Sequence, residues 1–290
     1  VDRVTIDAYL RRLGLEIEPP SVEALHRIHR AHVEHIPYET VWLHMGEPWG
    51  LDPSDSARRI AHEGRGGYCF HLNGALSELL DALGYRVRRH VGGCHHGAGT
   101  EHDAMTNHLV LTVGGLASDD NPGGTWYVDA GLGDALHAPL PLRPGEYRQG
   151  PFLYALTATP GGVGDWHFRH DPSGSFAGMN FRAAPAVMGD FAARHEFLAS
   201  SPESPFAKVV TAQRRDACGM DVLLGLMFTR VGTNPSRYVP VTSRDDWFDL
   251  LFDTFGLNLD GVEPAVRDRL WDRVLTAHRT WEEDGCSGIE

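Results

Sequence analysis

The segment Arg65–Tyr85 reads RGGYCFHLNGALSELLDALGY. Cys69 sits between a glycine pair and the first turn of an apolar-periodic helix, which carries Leu72, Leu76, Leu79, Leu80 and Leu83 and meets Gly84 at its end. A cysteine attacks as its thiolate, and an unperturbed thiol has a pKa of about 8.5. Unpaired N–H groups and the helix dipole favour an anion at a helix start. Those N–H groups can also steady an oxyanion during acyl transfer. Gly66 and Gly67 permit a tight turn and a close approach by a substrate. Taken alone, the stretch fits equally well a small buried thiol that fills a gap.

A thiolate at neutral pH needs a base, and the base needs an orienting acceptor. The chain holds 17 histidines, too many to choose by residue type. His108 opens the β-rich run HLVLTV, and Asp129 closes TWYVD just before the turn AGLG. Two strands joined by the turn-dense GGLASDDNPGG can bring these side chains together. Each residue alone also has an ordinary explanation: Asp129 as a turn cap, His108 as a solvent-facing strand end. The order cysteine, histidine, aspartate, with the last two on successive strands, is what points to nucleophilic acyl chemistry.

The elements that must carry these residues change character along the chain. Residues 1–88 read as a helical bundle. TIDAYLRRLGL forms one helix, a second starts at the N-cap Ser21 and stops before Pro37, SDSARRIAHEG forms a third, and Cys69 opens the fourth. Residues 89–185 read as an antiparallel sheet or small barrel, built from YRVRRHV, HLVLTV, TWYVDAG, FLYALTA and DWHFRHD. Residues 186–290 mix helices (VMGDFAARHEFLAS, RDDWFDLLFDTFG and EPAVRDRLWDRVLTAHRTW) with a strand near FAKVVTAQR. DVLLGLMFTRV fits either strand or helix, and the tail EEDGCSGIE is expected to fray. The fold class is therefore α+β.

Charge and cysteine content narrow the function. The formal net charge is −13, which opposes binding to nucleic acid or to an anionic membrane. No run approaches the roughly 20 apolar residues of a membrane span. The N-terminal VDRVTIDAYLRRLGL is charged throughout and lacks an apolar signal core. The four cysteines, Cys69, Cys94, Cys218 and Cys286, are widely spaced and form no C-x-x-C pair. Free thiols and a cytoplasmic location are expected. Cys94, Cys218 and Cys286 have no evident base and are expected to be inert. Cys94, His95, His96, Glu101 and His102 form a cluster, but neighbouring strand residues point to opposite faces. It reads as a surface loop rather than a metal site. GGLASDDNPGG lacks the Lys-Ser/Thr of a phosphate cradle and reads as a plain loop.

RGGYCFHLNGAL, TNHLVLTV and WYVDAGLG together resemble the three active-site blocks of the arylamine N-acetyltransferases. LHRIHRAHVEHIPYET and SPESPFAKVVTAQR are similar to two further blocks of that family. The resemblance spans most of the chain and centres on residues 20–135. It implies three domains: a helical bundle over 1–88, a β-barrel over 89–185 and an α/β lid over 186–290. The first two share a core with papain-like and transglutaminase-like cysteine enzymes. It implies a Cys69–His108–Asp129 triad and ping-pong chemistry. Cys69 takes an acetyl group from acetyl-CoA, and an arylamine, arylhydrazine or N-hydroxyarylamine then removes it. Acetyl-CoA is a substrate in this scheme, and no permanently bound cofactor is implied. Tyr38 and Phe70 are the expected walls of the acceptor pocket.

The sequence departs from the family pattern at four places. His71 stands where Glu or Gln is common. PYET replaces the family's Pro-Phe-Glu-Asn, so Tyr38 adds a hydroxyl and Thr40 replaces an amide. VDAGLGD puts Leu132 in place of an aromatic and Asp134 in place of a small residue. A carboxylate there would oppose a pyrophosphate. The stretch before His108 is histidine-rich. These changes touch substrate recognition rather than the triad. They leave open an amide synthase of natural-product assembly, which takes its acyl chain from a carrier protein. A cysteine protease with the same triad is opposed by the family blocks.

Overall fold

The computed structural model describes residues 1–283; Cys286 lies outside the described residues, as does the tail expected to fray, apart from Glu282 and Glu283, which are helical. The chain opens with α1 (Arg3–Arg12), whose N-cap Asp2 accepts a hydrogen bond from the Thr5 N–H. Helix α2 (Val22–His35) is capped by Ser21, whose Oγ accepts from the Ala24 N–H at 3.0 Å, and it stops short of Pro37. Next come β1 (Tyr38–Glu39), α3 (Val41–Met45), α4 (Pro53–Glu63) and α5 (Cys69–Ala82). Every α5 residue from Cys69 to Ser77 is buried. A helix covered on all sides is a central element rather than a surface one. Here α1 and α4 pack on it together with β2 (Arg86–His95) and, after the short α6 (Glu101–Ala104), β3 (His108–Gly114).

The second layer continues with β4 (Trp126–Val128), β5 (Leu140–Pro141), β6 (Gly145–Gln149), β7 (Phe152–Ala158), β8 (Trp166–Arg169) and β9 (Gly178–Pro185). The eight strands form one antiparallel sheet in the order β5-β4-β3-β2-β9-β8-β7-β6. It curls into a nearly closed barrel filled by Tyr127, Phe152, Tyr154, Phe168, Met179 and Phe181. Register decides where the chemistry lies. Leu111 pairs with Val128, so the two-residue period puts Asp129 on the same face as Val110 and His108.

The remaining chain runs through a 3₁₀ turn (Met188–Phe191), α7 (Ala192–Ser200), α8 (Pro205–Lys208), β10 (Thr211–Arg215), β11 (Gly219–Leu224), β12 (Met227–Gly232), β13 (Val239–Pro240), α9 (Arg244–Asp253) and α10 (Pro264–Glu283). DVLLGLMFTRV resolves as the hairpin β11–β12, turning at Gly225 with φ +58°. FAKVVTAQR divides into α8 and β10. The second sheet has the order β1-β10-β11-β12-β13, and its edge strand β1 comes from the helical part of the chain. Tyr38 pairs with Gln213. It also bridges Gly67, and a two-residue strand held by such distant partners has no periodicity to read in the sequence. Trp247, Leu251, Phe255 and Leu270 pack beneath this sheet, joined by Val41 from α3. Among the described residues no helix is long and apolar enough to cross a membrane.

Helix α5 is the keystone of the packing, and Leu76 at its middle is fully buried. Leu76→Ala should lower unfolding free energy by about 2–5 kcal/mol, and Leu76→Met by less than about 1.5 kcal/mol. Urea denaturation of the two variants measures both; equal losses would show that cavity formation is not what the site feels.

Candidate active site

The structure brings Cys69, His108 and Asp129 to one place, at the start of α5 and the ends of β3 and β4. Asp129 is 1% exposed, and donors reach both of its carboxylate oxygens. Oδ2 accepts from His108 Nε2 at 2.8 Å and from the Tyr127 hydroxyl at 2.9 Å. Oδ1 accepts from Asn73 Nδ2 at 2.7 Å and from the Gly131 N–H at 3.1 Å. Four donors use the full capacity of a carboxylate. The Asp129 backbone N–H donates in turn to His29 Nε2 at 3.3 Å, while His29 Nδ1 donates to the His137 carbonyl. Burial pushes His29 down to about 4, so it serves as a neutral acceptor.

Asn73, Tyr127 and His29 were not among the residues expected here. Asn73 had a signal: it lies four residues after Cys69 and so on the same helical face. Its Nδ2 also donates to the Leu109 carbonyl at 2.6 Å, and its Oδ1 accepts from the Ala130 N–H at 2.9 Å. One side chain thus stitches α5 to both strands. Tyr127 also had a signal, two residues before Asp129 and on the same face of β4. His29 had none, because it comes from α2.

His108 is buried, which opposes charge on its ring. The Asp129 carboxylate, with the thiols of Cys94 and Cys69, outweighs burial and holds its pKa well above that of an ordinary histidine. Asp129 takes Nε2, which leaves the other ring nitrogen for the two sulfurs. Cys69 Sγ also donates to the Asn107 carbonyl at 3.5 Å. The N-cap of α5, Tyr68, gives the helix start no side-chain hydrogen bond, so the first-turn N–H groups have no side-chain competitor at that end. The Tyr68 hydroxyl instead bonds His195 Nδ1, and His195 Nε2 donates to the Trp49 carbonyl.

Two glycines permit this close assembly. Gly67 has φ +135°, and a Cβ there would lie 2.7 Å from that of His71. A Cβ on Gly131 would lie 2.8 Å from the Cys69 Cα. A side chain at position 131 would therefore push the cysteine away.

A cavity of about 570 Å³ opens over the sulfur, within the range of small-molecule sites. Tyr38 lines it, together with Leu132, Phe176, Arg194 and Phe206. Phe70 does not. It is 1% exposed and packs on Phe191, so it is core rather than pocket wall. His71 also turns away, into a cage of Trp42, Trp49, Tyr68 and His195, where burial holds it neutral. Cys94 corrects an expectation: it lines the cavity and shares His108 with Cys69, so it has a base after all. Burial nonetheless pushes its thiol pKa up. The expected histidine-rich loop begins later than thought, because Cys94 and His95 complete β2 and His95 stacks on His167. Asp134 is 1% exposed and bonded to His170, so its carboxylate does not project towards a bound anion.

Cys69 at a helix start, His108 at the head of β3 and the buried Asp129 carboxylate bonded to it form a group with the residue types for nucleophilic acyl chemistry. Residues 21–263 match a family model described as N-acetyltransferase. A curated arylamine N-acetyltransferase / N-hydroxyarylamine O-acetyltransferase of Salmonella typhimurium is 27% identical over 289 residues, covering 97% of this chain and 98% of its own. An arylamine N-acetyltransferase of Mycolicibacterium smegmatis is 33% identical over 149 residues, half of each chain (50% and 52%). Among solved structures, Mycobacterium marinum arylamine N-acetyltransferase in complex with CoA superposes with a TM-score of 0.81 at 25% identity, covering 94% of this chain and 99% of that one. The chain belongs to the arylamine N-acetyltransferase family and is an acyltransferase.

The Asp129 charge is the main support for a charged His108. Asp129→Asn keeps the shape and removes that charge. Alkylation of Cys69 by iodoacetamide at pH 7, followed by peptide mass spectrometry, should slow by at least about tenfold, the worth of one pKa unit. An unchanged rate would show that the carboxylate does not sustain the cysteine–imidazole pair.

Proposed function

We propose that Cys69 carries an acetyl group from acetyl-CoA to an arylamine, arylhydrazine or N-hydroxyarylamine. The observation that carries this reading is the Asp129–His108 hydrogen bond beside a cysteine at a helix start, on the floor of a ligand-sized cavity. The M. marinum relative was solved with CoA, which supports the donor. The S. typhimurium relative is named for both N- and O-acetyl transfer, which supports the acceptors.

The steps follow from the charges. In the attacking form His108 has taken the Cys69 proton, and the negative charge on the sulfur is favoured by the imidazolium and by the start of α5. The sulfur attacks the thioester carbonyl, and the α5 N–H groups face the developing oxyanion. The tetrahedral adduct expels CoA thiolate, which takes the proton from His108. Exchange of one thioester for another is close to isoenergetic, so the acetyl-cysteine is neither trapped nor disfavoured. An arylamine is largely unprotonated at neutral pH and attacks the acetyl-cysteine. Neutral His108 takes the amine proton as Cys69 leaves as thiolate, and the site returns to its first state. Asp129 holds the imidazole in line in both halves. Tyr38 lines the cavity, and we assign it to the wall that the acceptor meets. A reactive free thiol is best kept in a reducing compartment, and we place the protein in the cytoplasm.

Intact-protein mass spectrometry with acetyl-CoA should show one added acetyl group, mapped to Cys69 and discharged by a simple arylamine. Cys69→Ala should remain unlabelled, and His108→Asn should acetylate about 10²–10⁴-fold more slowly. Labelling at another residue, or labelling only by a carrier-protein thioester, would overturn the assignment.

A further inference from the structure

The cavity has one wall whose position depends on a buried ion pair away from the triad. Asp134 follows the turn that carries Gly131 and Leu132, and His170 directly follows the barrel strand β8. Both side chains are at most 1% exposed. His170 Nε2 donates to Asp134 Oδ1 at 3.3 Å, and Asp134 Oδ2 accepts from the Ser175 N–H at 2.6 Å. His170 Nδ1 donates to the Asp171 carbonyl at 2.9 Å. Both ring nitrogens therefore face oxygens that only accept. A neutral imidazole has one N–H and would turn a lone pair towards one of those oxygens. The geometry calls for the doubly protonated ring.

The β8–β9 loop is wrapped around that ring. Phe176 meets it edge-to-face with centroids 4.4 Å apart. A Cβ on Gly174 would lie 1.9 Å from His170 Cε1, so the loop backbone lies directly against the imidazole. Ser175 and Phe176 then line the same cavity as Cys69, His108 and Leu132. The ring backs the loop from behind, while the Ala177 N–H, donating to the His95 carbonyl at 2.9 Å, ties its far end to β2.

We propose that the Asp134–His170 ion pair is a latch that positions Ser175 and Phe176 as a wall of the substrate cavity, so that losing the charge on either partner weakens substrate binding while leaving the thiol chemistry intact. Asp134 and His170 are thus positioning residues. The inference rests on the acetyl-transfer reading only for the identity of the substrates.

The charges around the ring set the direction of its pH response. The titratable groups that face it are the carboxylates of Asp134 and Asp171 and the hydroxyl of Tyr154, which donates to the Ala135 carbonyl. Phe168 and Phe176 cover the rest. Burial opposes the charge on His170, but Asp134 outweighs it and raises its pKa, while the pKa of Asp134 is lowered. With His170 raised, the latch is fully closed below the ordinary histidine value of about 6.5 and opens as pH climbs through the raised value. With Asp134 lowered, the latch holds above the ordinary carboxylate range and fails only as pH falls through the lowered value.

The test is steady-state and single-turnover kinetics of Asp134→Asn, which keeps the size and removes the charge. We expect the amine KM to rise about tenfold while the maximal acetylation rate of Cys69 stays within about twofold of wild type. In wild type the KM should climb on the alkaline side, and in the variant it should be flat there. A bulky aromatic disulfide reagent should also label Cys69 several-fold faster in the variant, relative to iodoacetamide. This readout needs no acetyl transfer, so the latch and the proposed reaction can fail separately. A fall in maximal rate at constant KM, or an alkaline KM rise retained by the variant, would overturn the latch. If Asp134→Asn does not fold, Phe176→Ala removes the wall and leaves the pair; an unchanged KM there would be equally decisive.

Discussion

Four hydrogen-bond donors converge on the Asp129 carboxylate, and they come from helix α5, strand β3, strand β4 and the turn that follows it. Burying a carboxylate without partners is worth several kcal/mol against folding. The only arrangement that avoids this brings the start of α5 against the ends of β3 and β4. The reactive geometry is therefore part of folding rather than something added to a finished scaffold. Asn73 makes the link explicit, because the amide that steadies Asp129 also ties the two strands to the helix one turn after the nucleophile.

The same physics sorts the histidines. His29 and His32 sit in the bundle interior, where neither ring bonds a carboxylate side chain, and burial pushes them down to about 4 and about 3. His71, caged by aromatic rings, is likewise held neutral. His108 and His170 are as deeply buried, yet each faces a buried carboxylate, and each is shifted upward. In a chain with net charge −13 the overall field decides little here. What separates the raised rings is a carboxylate that is itself buried: His137, 2.6 Å from the exposed Glu34, is still shifted downward by burial.

This explains what was legible in the sequence. The meeting of Cys69, His108 and Asp129 could be read because each residue has a local signature: a cysteine at a helix start, a histidine opening a strand, an aspartate closing the next. Period-two and period-3.6 patterns likewise gave the helical and β segments and the capping of α2 by Ser21. What depends on distant partners could not be read. Strand β1 exists through its pairing with β10 and a bridge to Gly67, neither of which is adjacent in sequence. Phe70 looked like a pocket wall because it follows the nucleophile, but the helical turn swings it onto Phe191. Cys94 looked inert because its base lies 14 residues away across a loop. Asp134 looked like an obstacle to an anion because His170, from the far side of the barrel, is invisible from its neighbours.

The floor and the walls of the cavity obey different constraints. The floor is fixed by the saturated Asp129 network and by Gly131, where even one added carbon would clash with Cys69. The walls come from separate segments: Tyr38 on β1, Cys94 on β2, the β8–β9 loop, and the α7–α8 region with Arg194 and Phe206. Each wall segment is anchored by its own contacts, so a wall can change without disturbing the relay beneath it. The departures from the family pattern at Tyr38, Leu132 and Asp134 all fall on the walls or their anchors. Chemistry held by one shared carboxylate, with recognition divided among independently anchored loops, lets the acceptor range change while the acyl-cysteine step is kept.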